Sequence, residues 1–381
     1  MVGTGVFPVP PYKGGGTEQH IYELSNALAE LGHEVHLVSD ILDGAYFHKN
    51  IFVHRVKIPP ASFRSGIIGW LKNHFIGGLF VFKKVLNLII SKEKFDVIHI
   101  HGRLAALLTS YLNVRPLVYT VHDLSPWMWN PDSLVERTLR KVAYVNIELR
   151  ICDKVDHIIA TSKAVKRDLV NFGIPKDKIT IIPNGVDLQL FKPIHHNDHN
   201  YCLFVGQLVE RKGVRYLLYA LKKMRSNIKC LIIGDGPLFD KLLEMVKKLH
   251  LHDKVTFLGS VSLSKLVKLY QNAKFLVLPS VVEPFGIVVL EAMACGTPVI
   301  ATQAGGPSDI IKHGYNGFLV KPKAVDDLAK YMDILVENTE LRNNMAINAR
   351  KTVEKYYSWE NIATKVSSIY NLVIQRQKRM R

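Results

Sequence analysis

The run from Phe275 to Val299, FLVLPSVVEPFGIVVLEAMACGTPV, constrains this chain more than any other stretch. Four apolar residues, Phe275 to Leu278, end at Pro279 and Ser280, which reads as a buried strand stopped by a turn. Glu283-Pro284-Phe285-Gly286 follows, then an apolar segment from Ile287 to Cys295 broken by one charge, Glu291. Gly296-Thr297-Pro298 ends that segment, and Val299-Ile300-Ala301 resumes as a strand. In a strand, turn, helix, strand unit the helix N-terminus carries partial positive charge and unpaired amides. An anion placed there would be held by the backbone at Gly286, Ile287 and Val288. Glu291 stands among Val289, Leu290, Ala292 and Met293, where an ionised carboxylate is costly unless hydrogen-bonded. It faces solvent, a structural Arg, or a ligand at the helix rim. With seven residues between them, Glu283 before the helix and Glu291 on its second turn are placed to reach one crevice.

A chain of 381 residues is long enough for two domains with separate cores. Its 48% hydrophobic and 22% charged residues belong to a globular protein, and no apolar run reaches the roughly 18 residues of a membrane span. No secretory signal opens it. Cys152, Cys202, Cys230 and Cys295 sit singly in apolar surroundings without metal-ligand spacing, so they read as reduced core residues of a cytoplasmic protein. The net charge is +17, of which +5 falls in residues 1–190 and +12 in 191–381. No nucleic-acid motif accompanies it, and no nucleic-acid partner is expected.

The chain reads as repeated strand and helix. Met1 to Pro11 contains VGTG then FPVPP, only a stub of a strand before the loop Gly14-Gly15-Gly16, whose glycines lead into a helix with Ile21, Leu24, Leu28 and Leu31 at helical spacing. Glycines before a helix let backbone amides approach a phosphate, though the spacing here also suits a plain flexible turn. Residues 45–94 are basic and aromatic: from Ala45 to Lys92 there are eight Lys or Arg and no acid. That stretch reads as core packing with a solvated basic face, or as a surface resting on anionic lipid. Two buried strands, FDVIHIH and LVYTVH, end in His101 and His122, on the side of a parallel sheet where ligands bind. A helix over Ser133–Cys152 and the strand Asp156–Thr161 follow. The linker Phe191–Asn200, with Pro193, His195, His196 and His199, marks a boundary between domains at 1–190 and 196–356. In the second half, Gln207-Leu208-Val209-Glu210-Arg211-Lys212-Gly213 follows the first strand and sets two cations at its end, suited to a diphosphate. Gly234-Asp235-Gly236 is a glycine turn at another strand end, either a plain connection or part of a ligand site.

The string EPFGIVVLEAMACGTPVIAT resembles the Glu-x7-Glu motif of retaining glycosyltransferases of family 4, and the resemblance extends over nearly the whole chain. It implies the GT-B fold: α/β, two Rossmann-like, doubly wound parallel-sheet domains facing across a cleft, with the C-terminal helix (357–381) returning to the first domain. It implies a nucleotide-diphosphate sugar as donor and co-substrate, no cofactor and no metal, and a glycan or lipid-linked acceptor in cell-envelope assembly. The absence of an Asp-x-Asp string accords with the metal-free reading. Carried onto this chain, His122 (in Thr-Val-His-Asp) and Glu283 become the catalytic pair at the sugar. The donor set becomes Gly15, Gly16, Arg211, Lys212, Gly234, Asp235, Gly236, Phe285, Gly286, Ile287, Val288 and Glu291, with Glu291 on the ribose. His101 is secondary, lining the acceptor side. Many members carry Arg where this chain has Gln207, and Arg211 is expected to take its place. The localisation implied is cytoplasmic, peripheral at the inner face of the membrane through 45–94. A nucleotide-sugar binding protein without turnover, and an epimerase or hydrolase on the same scaffold, remain the alternatives.

Overall fold

The computed structural model describes residues 1–4, 8–11, 15–57, 66–91, 94–112, 114–124, 145–194 and 200–380, with backbone alone for 66–75 and 380. Gly14, most of the expected helix over Ser133–Cys152, the histidines 195, 196 and 199, and Arg381 therefore lie outside the described residues. So do 58–65, 92 and 93 of the basic aromatic stretch.

The chain is α/β and divides into two units, Met1–Asn184 with Trp359–Arg381, and Gly185–Ser358. The division falls at Gly185, earlier than the boundary at 190 expected from the linker. The reason is local: Val186, Leu188, Leu190 and Phe191 pack into an apolar cluster of the second unit, and the Val186 N–H bonds the Tyr357 carbonyl at 2.8 Å.

In unit 1, β1 (Val35–Ser39) pairs in parallel with β2 (Ile51–Arg55). Strands β3 (Ile98–Ile100), β4 (Leu117–Val121), β5 (His157–Ala160) and β6 (Ile179–Ile181) are parallel and adjacent in that order. The stub at residues 1–3 is the short strand between these groups. Val2 bridges both Val38 and Ile100, with its N–H on the His99 carbonyl at 2.9 Å. Period-two alternation splits the strand residues between two apolar faces. Leu117, Tyr119 and Val121 face α2 (Gly66–Ile90), α3 (Arg103–Thr109), α4 (described over 145–154) and α5 (Lys163–Asn171). Val118 and Ile159 face α1 (Gly16–Glu30) and the C-terminal helix, through Ile21, Leu24, Leu28, Ile362, Val366 and Val373. That C-terminal helix, Trp359–Met380, thus completes the core of unit 1.

Among the described residues unit 2 holds six strands: β7 (Tyr201–Val205), β8 (Lys229–Ile233), β9 (Val255–Gly259), β10 (Phe275–Leu278), β11 (Val299–Thr302) and β12 (Gly317–Val320). Their spatial order is β12-β11-β10-β7-β8-β9, all parallel. The order reverses between β7 and β10, and a doubly wound sheet binds ligands beyond the carboxyl ends of its strands at such a switch point. The same alternation puts Cys202, Phe204, Phe275 and Val277 on one face and Leu203, Val205, Leu276 and Leu278 on the other. The connecting helices are α6 (Val214–Lys223), α7 (Phe239–Lys248), α8 (Leu263–Asn272), α9 (Ile287–Ala294), α10 (Pro307–Ile310), α11 (Val325–Glu337) and α12 (Thr339–Tyr356), so the last helix of the chain is α13. The four cysteines are buried and free. Among the described residues no helix is long and apolar enough to cross a membrane.

Candidate functional site

The chemistry-bearing residues of unit 2 gather at the switch point. After β7 the chain makes a single tight turn, Glu210–Lys212, closed by Gly213 in the left-handed region (φ 67°). A Cβ at Gly213 would stand 2.1 Å from the Pro279 carbonyl oxygen, so only glycine lets this loop seat against the end of β10. The Val281 N–H bonds the Arg211 carbonyl at 2.7 Å and locks the two loops together. This delivers Lys212 to Glu283: Nζ donates to Oε2 at 2.5 Å, with both side chains largely buried (12% and 6% exposed). Ser280 Oγ donates to the same oxygen at 3.0 Å. The Glu283 backbone is clamped in turn, its N–H on the Ala304 carbonyl and its carbonyl on the Gly306 N–H, each at 2.9 Å.

Burial raises the Glu283 carboxyl, but the Lys212 ammonium and the Arg211 guanidinium outweigh it and hold the group below its ordinary value. Burial lowers the Lys212 ammonium and Glu283 opposes that. The pair is ionised, fixed in geometry and short of solvent. Arg211 forms no ion pair with the described residues, which leaves its planar fork for a ligand. Gln207 is exposed.

Gly234 and Gly236 bring the β8 loop against the β7 loop. A Cβ on Gly234 would lie 2.0 Å from the Gly206 carbonyl oxygen, and one on Gly236 would lie 2.5 Å from that of Leu208. Asp235 between them accepts from Ser260 Oγ at 2.6 Å. Phe285 is buried, and Gly286 (φ 90°) caps α9 with no side chain closing its first turn, so the amide end at Ile287 and Val288 has the polarity expected from the sequence.

Glu291 finds a different neighbour. Tyr270 Oη, on α8, donates to its Oε2 at 2.7 Å. Burial pushes the Glu291 carboxyl up to about 7 despite that bond. Glu291 and Glu283 have no hydrogen-bond partner in common among the described residues. Tyr270→Phe is expected to strand a buried carboxyl, lowering stability by about 1–3 kcal/mol and raising the Glu291 pKa further. Chemical denaturation and the carboxyl resonances of a labelled protein check both.

In unit 1 the C-terminal ends of β3 and β4 and the start of α1 converge on imidazoles. Gly15 (φ 86°) caps α1 without side-chain help, leaving the amide end at Gly16. Glu18 is buried and accepts from Thr4 Oγ1. His101 Nδ1 and His122 Nε2 are 3.1 Å apart, and His20 packs edge-on to His122 with centroids 4.8 Å apart. Burial lowers the pKa of His20, His101 and His122. Arg103 bridges Asp123 (2.6 Å) and the buried Glu148 (2.9 Å).

Sequence reasoning missed several of these residues. Nothing marked His20, because a histidine on a helix ordinarily reads as solvated. Ser280 reads as a turn residue, and Tyr270 and Glu148 as ordinary helix residues. The one available signal was His20 lying four residues after Gly16, on the first turns of the helix that the glycines open.

Two family profiles cover the chain. The one described as Glycosyltransferase Family 4 matches residues 14–190, and Glycosyl transferases group 1 matches 187–352. An uncharacterized glycosyltransferase of Methanocaldococcus jannaschii, MJ1607, is 32% identical over 97% of both chains. Among solved structures, sucrose-phosphate synthase of Thermosynechococcus elongatus superposes with a TM-score of 0.82, covering 98% of each chain at 24% identity. Anabaena Alr3699/HepE, solved in complex with UDP-glucose, gives 0.72 over 96% of this chain and 98% of its own at 23% identity. At such identities these two structures speak for the fold alone. The profiles on both halves and the full-length relative identify the chain as a member of glycosyltransferase family 4, a glycosyltransferase with the GT-B fold.

Proposed function

We propose that this glycosyltransferase moves a sugar from a nucleotide-diphosphate donor to a glycan or lipid-linked acceptor, with retention at the anomeric carbon and without a metal ion. The observation that carries the proposal is the buried Lys212–Glu283 ion pair at the switch point of unit 2, beside the uncapped N-terminus of α9. Lys212, Arg211 and the amides at Gly286 to Val288 meet the two phosphate charges that magnesium would otherwise neutralise. Asp235 and Glu291 receive donor hydroxyls, and Glu283 those of the transferred sugar. To the Gly15 and Gly16 amides we assign a phosphate contact and to His122 a contact with the sugar. The C1–O bond to the diphosphate breaks, and the acceptor oxygen bonds C1 on the same face. The acceptor proton passes to the departing phosphate oxygen.

The test is a thermal-shift screen with UDP, GDP and ADP and their sugars, followed by transfer assays in chelator with the donor that binds. Stabilisation by one nucleotide and chelator-resistant transfer are expected. Free epimerised or hydrolysed sugar without any acceptor requirement would contradict the reading. For residues 45–94 we propose contact with an anionic lipid surface, supported by the exposed Leu79 and Phe80 beside the exposed Lys83 on α2. Binding to phosphatidylglycerol vesicles that weakens with salt is expected, and no co-sedimentation at low salt would refute it.

A further inference from the structure

We propose that His20, His101 and His122 form a binding site for one divalent transition-metal ion of the zinc class, and that filling it blocks sugar transfer. One ring nitrogen from each histidine lies within 4.8 Å of the other two. The His101 Nδ1 to His122 Nε2 separation is 3.1 Å. Two imidazole nitrogens bound to tetrahedral zinc at about 2.0–2.1 Å stand roughly 3.3 Å apart, so this pair is already near the geometry an ion requires. Closing His20 onto them is a side-chain adjustment at the start of α1.

Two further observations point to a ligand. His20 is 3% exposed, and its Nε2 atom is buried with no hydrogen-bond partner. A buried ring nitrogen without a partner is an unmet interaction, and a metal ion satisfies a lone pair directly. The His20 Nδ1 lies 2.8 Å from Asn184 Oδ1. An amide oxygen only accepts, which places the proton on Nδ1 and the lone pair on Nε2, as metal-ligating histidines are commonly held. His99 packs on His101 with centroids 4.3 Å apart. Its own nitrogens are engaged by Tyr370 Oη and Thr120 Oγ1, so it braces the cluster without joining it.

The surroundings accept a cation. Arg103, the nearby fixed positive charge, is offset by Asp123 and Glu148. The Met1 ammonium is lowered by burial to about 5, so it is largely uncharged at neutral pH. Three nitrogen donors select zinc, cobalt, nickel or copper over magnesium, calcium or manganese, which seek oxygen. Such an ion would therefore not assist the diphosphate chemistry. It would take His122 away from the sugar, the part of the inference that rests on the function proposed above.

The test uses the full chain stripped with chelator and with His195, His196 and His199 replaced by Ser, since that run offers a competing site in the sequence. Titration with Co2+ is expected to give the intense visible bands of a four-coordinate ion at one equivalent, displaced by Zn2+. His20→Gln and His101→Gln are expected to weaken binding at least tenfold, and His252→Gln, in unit 2, to leave it unchanged. X-ray absorption of the zinc-loaded chain counts the nitrogen ligands without relying on any variant. Oxygen-dominated coordination, or binding equal in His20→Gln, overturns the site. Zinc that binds by these measures yet leaves transfer undiminished overturns the blocking claim alone. Failure of transfer under every condition counts against the proposed function and leaves the cobalt result standing.

Discussion

Replacing Glu283 with Ala is expected to abolish measurable transfer and to lower the stability of unit 2 by about 3–5 kcal/mol, the usual cost of removing one partner from a buried ion pair. The Lys212 ammonium would be left with little water and no counter-charge, 2.5 Å from where its partner stood. Lys212→Met removes the opposite charge and is expected to cost a similar stability, with kcat reduced about 10²–10³-fold because the leaving diphosphate loses a fixed cation. The double variant Lys212→Met with Glu283→Gln separates structure from chemistry. Neutral groups of similar volume often replace a buried pair without penalty. Stability should therefore recover in the double variant while transfer does not. If the double variant were as unstable as the single ones, coupling of the two side chains would not explain the losses. If it transferred sugar at the native rate, neither residue would act in the reaction. Urea titrations and initial-rate measurements on the same preparations decide between these outcomes.

The elements of unit 2 were legible because its strands are short, largely apolar runs and the turns at their carboxyl ends carry glycine or proline. The pairing of Lys212 with Glu283 was not. The two residues are 71 positions apart, and they meet only because β7 and β10 are neighbours in the sheet. Sequence reasoning assigned Lys212 to phosphate and Glu283 to sugar separately, and the structure adds that each fixes the other. Glu291 illustrates the converse. Its awkward position among apolar residues signalled a partner, but Tyr270, 21 residues upstream on another helix, gave no sign of being that partner. The histidine cluster was half visible, since strand-end His101 and His122 stood out. His20 was hidden by the ordinariness of a helical histidine, and its role emerges only where α1 crosses the ends of β3 and β4. The stub at residues 1–3 looked too short for a strand. It suffices as one because β1 and β3 supply carbonyl and amide partners on both sides.

Acid is expected to unfold unit 1 before unit 2, because the buried histidines of unit 1 and Glu291 of unit 2 respond to pH in opposite directions. His20 is lowered by burial from 6.5 to about 4, and His99, His101 and His122 are lowered well below 6.5 by burial and by one another. Between the folded and unfolded values the unfolded chain binds more protons, so stability rises with pH through that window and is lost as pH falls from about 6.5. In unit 2, Glu291 is raised from 4.5 to about 7, so there the folded state binds the extra proton. That contribution runs the other way. Unit 2 gains up to about 3 kcal/mol as pH falls from 7 to 4.5, at 1.36 kcal/mol for each unit of displacement. Glu283, lowered below 4.5, withdraws its support only at still lower pH. In unit 1 His157 is likewise lowered to about 4, so five histidines give a slope of up to about 7 kcal/mol per pH unit where all five titrate, opposed in part by Glu148, which burial raises. Trp359 packs against the core of unit 1 and no tryptophan falls in 185–358, so fluorescence follows unit 1 while circular dichroism follows both. In urea at pH 5.5 the fluorescence transition is expected to precede the dichroism transition clearly, and at pH 8 the two should draw together. His20→Asn should shallow the pH dependence of the fluorescence midpoint by about one proton, and Glu291→Gln should flatten that of the later transition. Coincident midpoints at both pH values would mean that the histidine cluster is not held neutral by its burial.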